Sequence, residues 1–459
     1  MTREAGAVRK RILIACIQEK QSYHAGLELA RRFPGHAITF VGLSSREHQE
    51  LVEANGFEFL GLGDFVEDQP EALRWGRGLR RLRLYAENGA RVRSAYAELA
   101  RYRGVFDVAL LDVVGGTCPA AICGELGVPM LCFCNGYTSS LSWRYPPAFS
   151  RRVPTGAEAG LGERLVNLLS WTYGLFRRLG PAGRWLYWVL AVPRMVGDWR
   201  VRRRAARFGV RFGLGEWGVR LRAPEIAIAY QPLDWPALQE TEGRFYLQRS
   251  SRSRHAPGAG YVKDHSVTAT PLVYFSMGAA FSAGERIRAF APRRRRRIER
   301  YLDVVIEAFS ARSEWRLIMA LVDWVGVLER KSLPPNVSVQ RWVDQDEVLS
   351  RAAVAITGGG SSTIHDCVSF GVPMLVVPLW ADHFGNAARI AYHGLGLSER
   401  LDELTSGKLV RLVERLLTDP QIADSLAKAH ARFHAAQAGD DRGELARFVE
   451  RHTSVSLGE

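Results

Sequence analysis

No stretch of the 459-residue chain reaches the roughly 20 uninterrupted apolar residues that a membrane-spanning helix needs. The basic start, Met1 to Arg11, leads into an apolar run of only Ile12–Ile17. That run is too short for the apolar core of a secretory signal, and no small-residue cleavage site follows it. The expectation is a soluble or peripherally bound cytoplasmic protein. Cysteine is sparse: six residues, Cys16, Cys118, Cys123, Cys132, Cys134 and Cys367, none with metal-site spacing. Cys132 and Cys134 would share one face of a strand with no further ligand nearby. Buried thiols in a reducing compartment are the expectation. Recognition motifs for DNA or RNA are missing as well, so nucleic acid is not an expected partner.

Hydrophobic residues make up 47 %, which excludes a largely disordered chain, and the length suits two domains. Lys and Arg exceed Asp and Glu by 62 to 48, a net charge of +14. Such a surplus favours anionic partners, whether nucleic acid, lipid headgroups or ligand phosphates.

Apolar runs alternate with helical spacing. Ile12–Ile17 reads as a buried parallel strand, Tyr23–Phe33 as a helix and Ala37–Leu43 as a second strand. The theme recurs at Val105–Val114, Pro119–Leu126 and Pro129–Cys134. A second series follows: strands at Leu272–Ser276, Trp315–Leu321, Val337–Arg341, Val354–Thr357 and Met374–Val377, with a helix at Arg297–Ser310. These are the units of doubly wound sheets. The expected α/β architecture is therefore two Rossmann-like domains, residues 1–248 and 269–430. A linker at 249–268 joins them, and a helical tail at 431–459 follows. Between 159 and 210, aromatic residues (Trp171, Tyr173, Phe176, Trp185, Tyr187, Trp188) alternate with Arg177, Arg178, Arg184, Arg194 and an arginine run from Arg200 to Arg204. This insertion reads either as helices lining an acceptor cleft or as a face resting on an anionic membrane.

The chemistry concentrates between Trp342 and Asn386. Strand Val354–Thr357 runs straight into Gly358-Gly359-Gly360 and then Ser361-Ser362-Thr363, which open a helix. Glycines let backbone approach a ligand, and the first amides of a helix are free donors at its positive end, so the junction suits a phosphate or diphosphate. Asp366, on the same side of that helix as Thr363, is placed to reach ribose hydroxyls. The same features also make an ordinary strand-to-helix turn.

The surrounding span resembles the nucleotide-sugar signature of the family 1 glycosyltransferases. These include UDP-glucuronosyltransferases, plant glucosyltransferases and bacterial carotenoid and macrolide glycosyltransferases of the GT-B fold. The resemblance implies that Trp342, with Val343 beside it, stacks on uracil and that Gln345 and Asp366 bind base and ribose. It implies that Ser276, Gly278, Gly358, Gly359, Gly360, Ser362 and Thr363 hold the diphosphate. Asp382, His383 and Asn386 would serve the sugar side. Four positions depart from the pattern: Gly358 replaces a phosphate-contacting His, Asp366 a Glu, His383 a Gln and Asp344 a Pro. The triplet Asp344-Gln-Asp346 falls inside the base-binding segment and reads as coincidental rather than as a metal site.

The resemblance also implies a catalytic His where the first strand meets the first helix, with an Asp at the end of a later strand. His24 and Asp112 are the candidates. Counting back from Leu29-Ala30 puts Ser22 at the family's His position. The function implied is metal-independent inverting transfer of a hexose from a UDP-sugar to a hydroxyl of a lipophilic small molecule, with no cofactor beyond the donor. Transfer to membrane glycolipid intermediates and non-catalytic nucleotide-sugar binding are the alternatives.

Overall fold

The structure is a computed structural model that describes residues 9–16, 20–43, 46–62, 98–113, 126–137, 144–147, 150–153, 160–171, 211–215, 218–239, 243–248, 270–278, 292–321, 324–328, 332–380, 382–437 and 441–457. The linker at 249–268, the helix at 119–126 apart from Leu126 and most of the aromatic–arginine insertion lie outside these residues.

Two parallel sheets carry the chain. The first is built from β1 (Arg11–Ala15), β2 (Ala37–Leu43), β3 (Glu58–Leu62), β4 (Val108–Asp112), β5 (Met130–Asn135), β8 (Glu225–Ile228) and β9 (Arg244–Leu247), after a separate hairpin, β6 (Arg211–Gly215) and β7 (Gly218–Arg222). Its order is β3-β2-β1-β4-β5-β8-β9. The second holds β10 (Leu272–Ser276), β11 (Arg316–Ala320), β12 (Val337–Gln340), β13 (Val354–Thr357), β14 (Met374–Val376) and β15 (Gly396–Ser398), in the order β12-β11-β10-β13-β14-β15. Both orders reverse direction beside the first strand of their sheet. Each sheet therefore has a switch point at the carboxyl ends of its strands, β1/β4 in one and β10/β13 in the other. Among the described strands, β3, β6, β7, β8, β9 and β15 were not anticipated from sequence.

Every residue of β4 and of β13 is buried. Strands covered on both faces need apolar residues at consecutive positions, which is why VALLD and VAIT read as continuous runs. Alternate residues of β1 serve opposite layers: Ile12 and Ile14 pack with Leu27 and Leu29, whereas Leu13 and Ala15 pack with Leu99 and Leu126. Helix α1 (Lys20–Ala30) lies close on β1 because Gly26 has no side chain. A Cβ there would sit 2.8 Å from Phe40 and 3.0 Å from the Cys16 sulfur.

The two domains share a buried interface. Tyr137, Ala229, Tyr230 and Leu233 of the first pack with Ile364, Cys367, Leu426 and Phe433 of the second in one apolar cluster. Helix α2 (Pro420–Gln437) crosses the expected 430/431 boundary. The last helix, α3 (Asp441–Thr453), returns to the first domain, burying Leu445, Phe448 and Val449 against that sheet's core.

Candidate functional site

At the second switch point, β13 ends at Thr357 and the chain passes through Gly358–Gly360 into the helix Ser361–Ser369. Gly359 has φ +93°, a conformation glycine adopts without strain, and its amide donates to Thr357 Oγ1 at 3.2 Å. Gly360 is the N-cap and supplies no side-chain acceptor, so the helix's leading amides are left to a ligand. Thr363 and Ser361 are buried and Ser362 is half-buried. On the neighbouring strand, Ser276 Oγ accepts from the Gly278 amide at 3.2 Å, and Gly358 N donates to the Ser276 carbonyl at 3.2 Å. The residues expected to hold a diphosphate therefore converge at the ends of β10 and β13.

The base and ribose candidates are also adjacent. Gln345 Nε2 donates to Asp366 Oδ2 at 2.5 Å, and Tyr274 Oη donates to Gln345 Oε1 at 3.0 Å. Trp342 stands 71 % exposed, the most exposed aromatic among the large apolar side chains described. Val343 is half-buried against the interdomain cluster. Asp344 caps the helix Gln345–Arg351, accepting from the amides of Asp346 and Glu347, each at 3.1 Å. The Asp-x-Asp triplet thus has a local structural use.

His383 and Asn386 open the helix His383–Tyr392, with Asp382 as its N-cap. Asn386 is buried and clamps the glycine loop: its Nδ2 donates to Gly359 O at 2.9 Å and to Asp382 Oδ2 at 3.0 Å. These bonds hold the loop in position. The imidazole of His383 fills the space a side chain at 358 would take, since a Cβ on Gly358 would lie 3.2 Å from both Cε1 and Nδ1. Burial pushes its pKa down, opposed by the Asp382 charge and a hydrogen bond with the Gly358 backbone. Gly358 and His383, two of the positions that depart from the family pattern, are therefore adjacent in space.

At the first switch point, Asp112 ends β4 and is buried. The side chain that α1 turns onto its carboxylate is Ser22, whose Oγ donates to Asp112 Oδ2. Ser22, Gly26 and Leu29 fall at i, i+4 and i+7, the face pressed on the sheet, whereas His24 lies two positions off that face and half-buried. Cys16 completes the cluster, its thiol donating to the Ser22 carbonyl at 3.6 Å. Burial, then the Asp112 charge, push that thiol's pKa up, so it stays a protonated packing group.

The two switch points meet. Gly136, just past β5, abuts Ser361 so closely that a Cβ would lie 2.7 Å from the serine Oγ. Asp112 is in register with Phe133 on β5. One inter-strand spacing and three residues place Asp112 roughly 11 Å from that contact. His365 adds a second bridge, accepting from the Tyr230 amide at 3.0 Å.

The residues 317–438 match the family described as Erythromycin biosynthesis protein CIII-like, C-terminal domain. The oleandomycin glycosyltransferase of Streptomyces antibioticus is 32 % identical over 139 residues, 30 % of this chain and 31 % of that protein. UDP-glucuronosyltransferase 3A1 of Xenopus laevis is 33 % identical over 143 residues, 31 % of this chain and 26 % of that protein. The matched stretch is thus less than a third of either relative's length. The whole fold is similar to the crystal structure of the glycotransferase of kitacinnamycin, with a TM-score of 0.64 at 20 % identity over 97 % of this chain and 100 % of that one.

Proposed function

We propose that this chain, a family 1 glycosyltransferase by its donor-half sequence and its GT-B fold, transfers a hexose from a UDP-sugar to a hydroxyl of a lipophilic small molecule with inversion. The observation carrying this reading is the uncapped helix at Ser361, entered through three glycines at a switch point and set against the carboxyl edge of the opposite sheet. A diphosphate placed there accepts from the free amides and from Ser362 and Thr363, and these donors stabilise the charge that builds as the diphosphate departs. Trp342 supplies an exposed face for the base, Gln345 and Asp366 a polar edge for base and ribose, and Asp382 with His383 contacts for sugar hydroxyls. Asp112 is the acceptor-side carboxylate. The reaction uses no metal and no cofactor beyond the donor, a reading supported by the use of Asp344 as a helix cap.

A lipophilic acceptor is supported by the helix at 161–171, where Leu161, Leu165 and Leu169 are exposed by 85 %, 60 % and 57 % at intervals of four residues. With Arg152 and Arg164 nearby in sequence, that stripe also suits peripheral contact with an anionic bilayer. Among the described residues no helix is long and apolar enough to cross a membrane. The test is a thermal-shift panel of UDP-, dTDP- and GDP-sugars, with and without chelator. UDP-sugars are expected to raise the midpoint equally in both conditions; stabilisation by no nucleotide sugar overturns the reading. A non-catalytic nucleotide-sugar-binding role is the second reading, favoured by the serine hydroxyl that donates to Asp112. Donor stabilisation without transfer to any hydroxyl would select it.

A further inference from the structure

The helix Ser361–Ser369 is covered on almost every side: Ser362 and Asp366, one turn apart, are the residues in it that are not buried. That narrow stripe is the side-chain surface the helix can offer a ligand, so its use depends on how the helix is rotated about its own axis. The apolar contacts of Ile364, Cys367 and Val368 hold the helix down, but burial of this kind has no direction. The geometry points to His365 as the group that fixes the rotation: we infer that His365 is a positioning residue for the donor, setting the donor helix by a bond to the opposite domain.

Three observations carry this. First, His365 is buried one turn on from Ser361, on the side of the helix that meets the first domain, where Gly136 lies against the Ser361 hydroxyl. Second, its partner is backbone and therefore fixed in place. Beyond the strand ladder, where the Ala229 amide donates to the Leu247 carbonyl, the Tyr230 amide donates instead to His365 Nε2 at 3.0 Å. Tyr137, next to Gly136, closes the arrangement. Its Oη donates to the Tyr230 carbonyl at 2.8 Å and lies 3.5 Å from the same imidazole nitrogen, with the two rings edge-on. Third, the ligand stripe is one residue further along. Successive helix residues are turned by about 100°, so holding His365 on the first domain turns Asp366 away from it, to where Gln345 bonds its carboxylate at 2.5 Å.

Donor affinity then depends on a contact across the domain interface as well as on the groups that touch the donor. Without the imidazole the Tyr230 amide is buried with its acceptor lost, and the helix loses the directional tie that keeps Ser362 and Asp366 on the cleft.

This inference rests on the transferase reading, and its test separates the two. UDP is the probe, titrated calorimetrically into wild type, His365→Leu, His365→Gln, Tyr137→Phe and Leu445→Ala, with the unfolding midpoint of each measured alongside. Leucine fills the site without an acceptor, whereas glutamine can set an amide oxygen where Nε2 lies. His365→Leu should raise the Kd for UDP by about 10-fold, and His365→Gln should return it to within about threefold of wild type. Tyr137→Phe keeps the ring and removes the bond to the Tyr230 carbonyl; it should raise the Kd by about threefold. Leu445→Ala, a truncation in the first sheet's core, should lower the midpoint and leave the Kd as it is. A wild-type Kd in His365→Leu overturns the inference. A Kd in His365→Gln as weak as that in His365→Leu reduces the imidazole to packing, and an equal loss in Leu445→Ala makes the effect one of general stability; either overturns it as well. Should His365→Leu fail to fold, the other two interface variants decide, and a wild-type Kd in Tyr137→Phe overturns the inference. A wild type that binds none of UDP, dTDP and GDP is instead the failure of the transferase reading.

Discussion

Arg389 reaches across the domain interface to Asp234, its Nη2 donating to the Asp234 carboxylate at 2.7 Å and its Nε at 3.1 Å, with both side chains buried. The guanidinium is held between two aromatic faces, 4.7 Å from the Tyr137 centroid and 4.8 Å from that of Trp235. Arg389 lies on the helix that begins at His383, so that helix is tied directly to the first domain. Asp234 has a second cationic partner, Arg244 at 3.3 Å, which also pairs with Glu225 at 3.2 Å.

That asymmetry decides which substitution costs more. Arg389→Met leaves Asp234 paired with Arg244, whereas Asp234→Asn leaves Arg389 buried without a carboxylate. Breaking a buried pair in the second way costs about 3–5 kcal/mol. Asp234→Asn should therefore lower the urea midpoint more than Arg389→Met, and the double variant should be less damaged than the sum of the two. Equal effects of the single changes would show that Arg244 does not share the load.

Trp342 should separate binding from folding. Its ring is largely exposed, so Trp342→Ala should leave the unfolding midpoint of the free protein within about 0.5 kcal/mol of wild type. Loss of base stacking should weaken donor binding by about 1–3 kcal/mol, roughly ten- to a hundredfold in Kd. Titration calorimetry with UDP checks this, and an unchanged Kd would remove Trp342 from the base site.

The buried imidazole of His383 makes stability depend on pH. Its folded-state pKa is depressed, chiefly by burial, and that of His393 is depressed for the same reason. Above an unfolded pKa of about 6.5 both states are neutral and neither group matters. Below it the unfolded chain binds protons that the folded chain resists, so stability should fall as pH drops from there. His383→Gln should flatten part of that fall in unfolding midpoints measured between neutral and mildly acidic pH; an unchanged slope would mean that the ring is not the group responsible.

Much of this was legible from local pattern. Continuous apolar runs such as Val354–Thr357 read as buried parallel strands because both faces of such strands are covered, and the glycine–hydroxyl run read as a strand-to-helix junction. The face of α1 was legible too: Ser22, Gly26 and Leu29 form one helical stripe, and that stripe turns Ser22 onto Asp112. Strands such as Gly396–Ser398, only three residues long, carry too little pattern to be seen alone.

The sequence by itself determined two parallel-sheet domains, the glycine–hydroxyl loop and the identity of the side chains around it, because those follow from periodicity and from residues a few positions apart. Only the tertiary structure decided how distant residues pair. It set Ser22 against Asp112, the ring of His383 into the space left by Gly358, Arg389 against Asp234 and the final helix back onto the first sheet. Such pairings depend on which strand lies beside which and on how tightly each helix sits, and no local spacing encodes them.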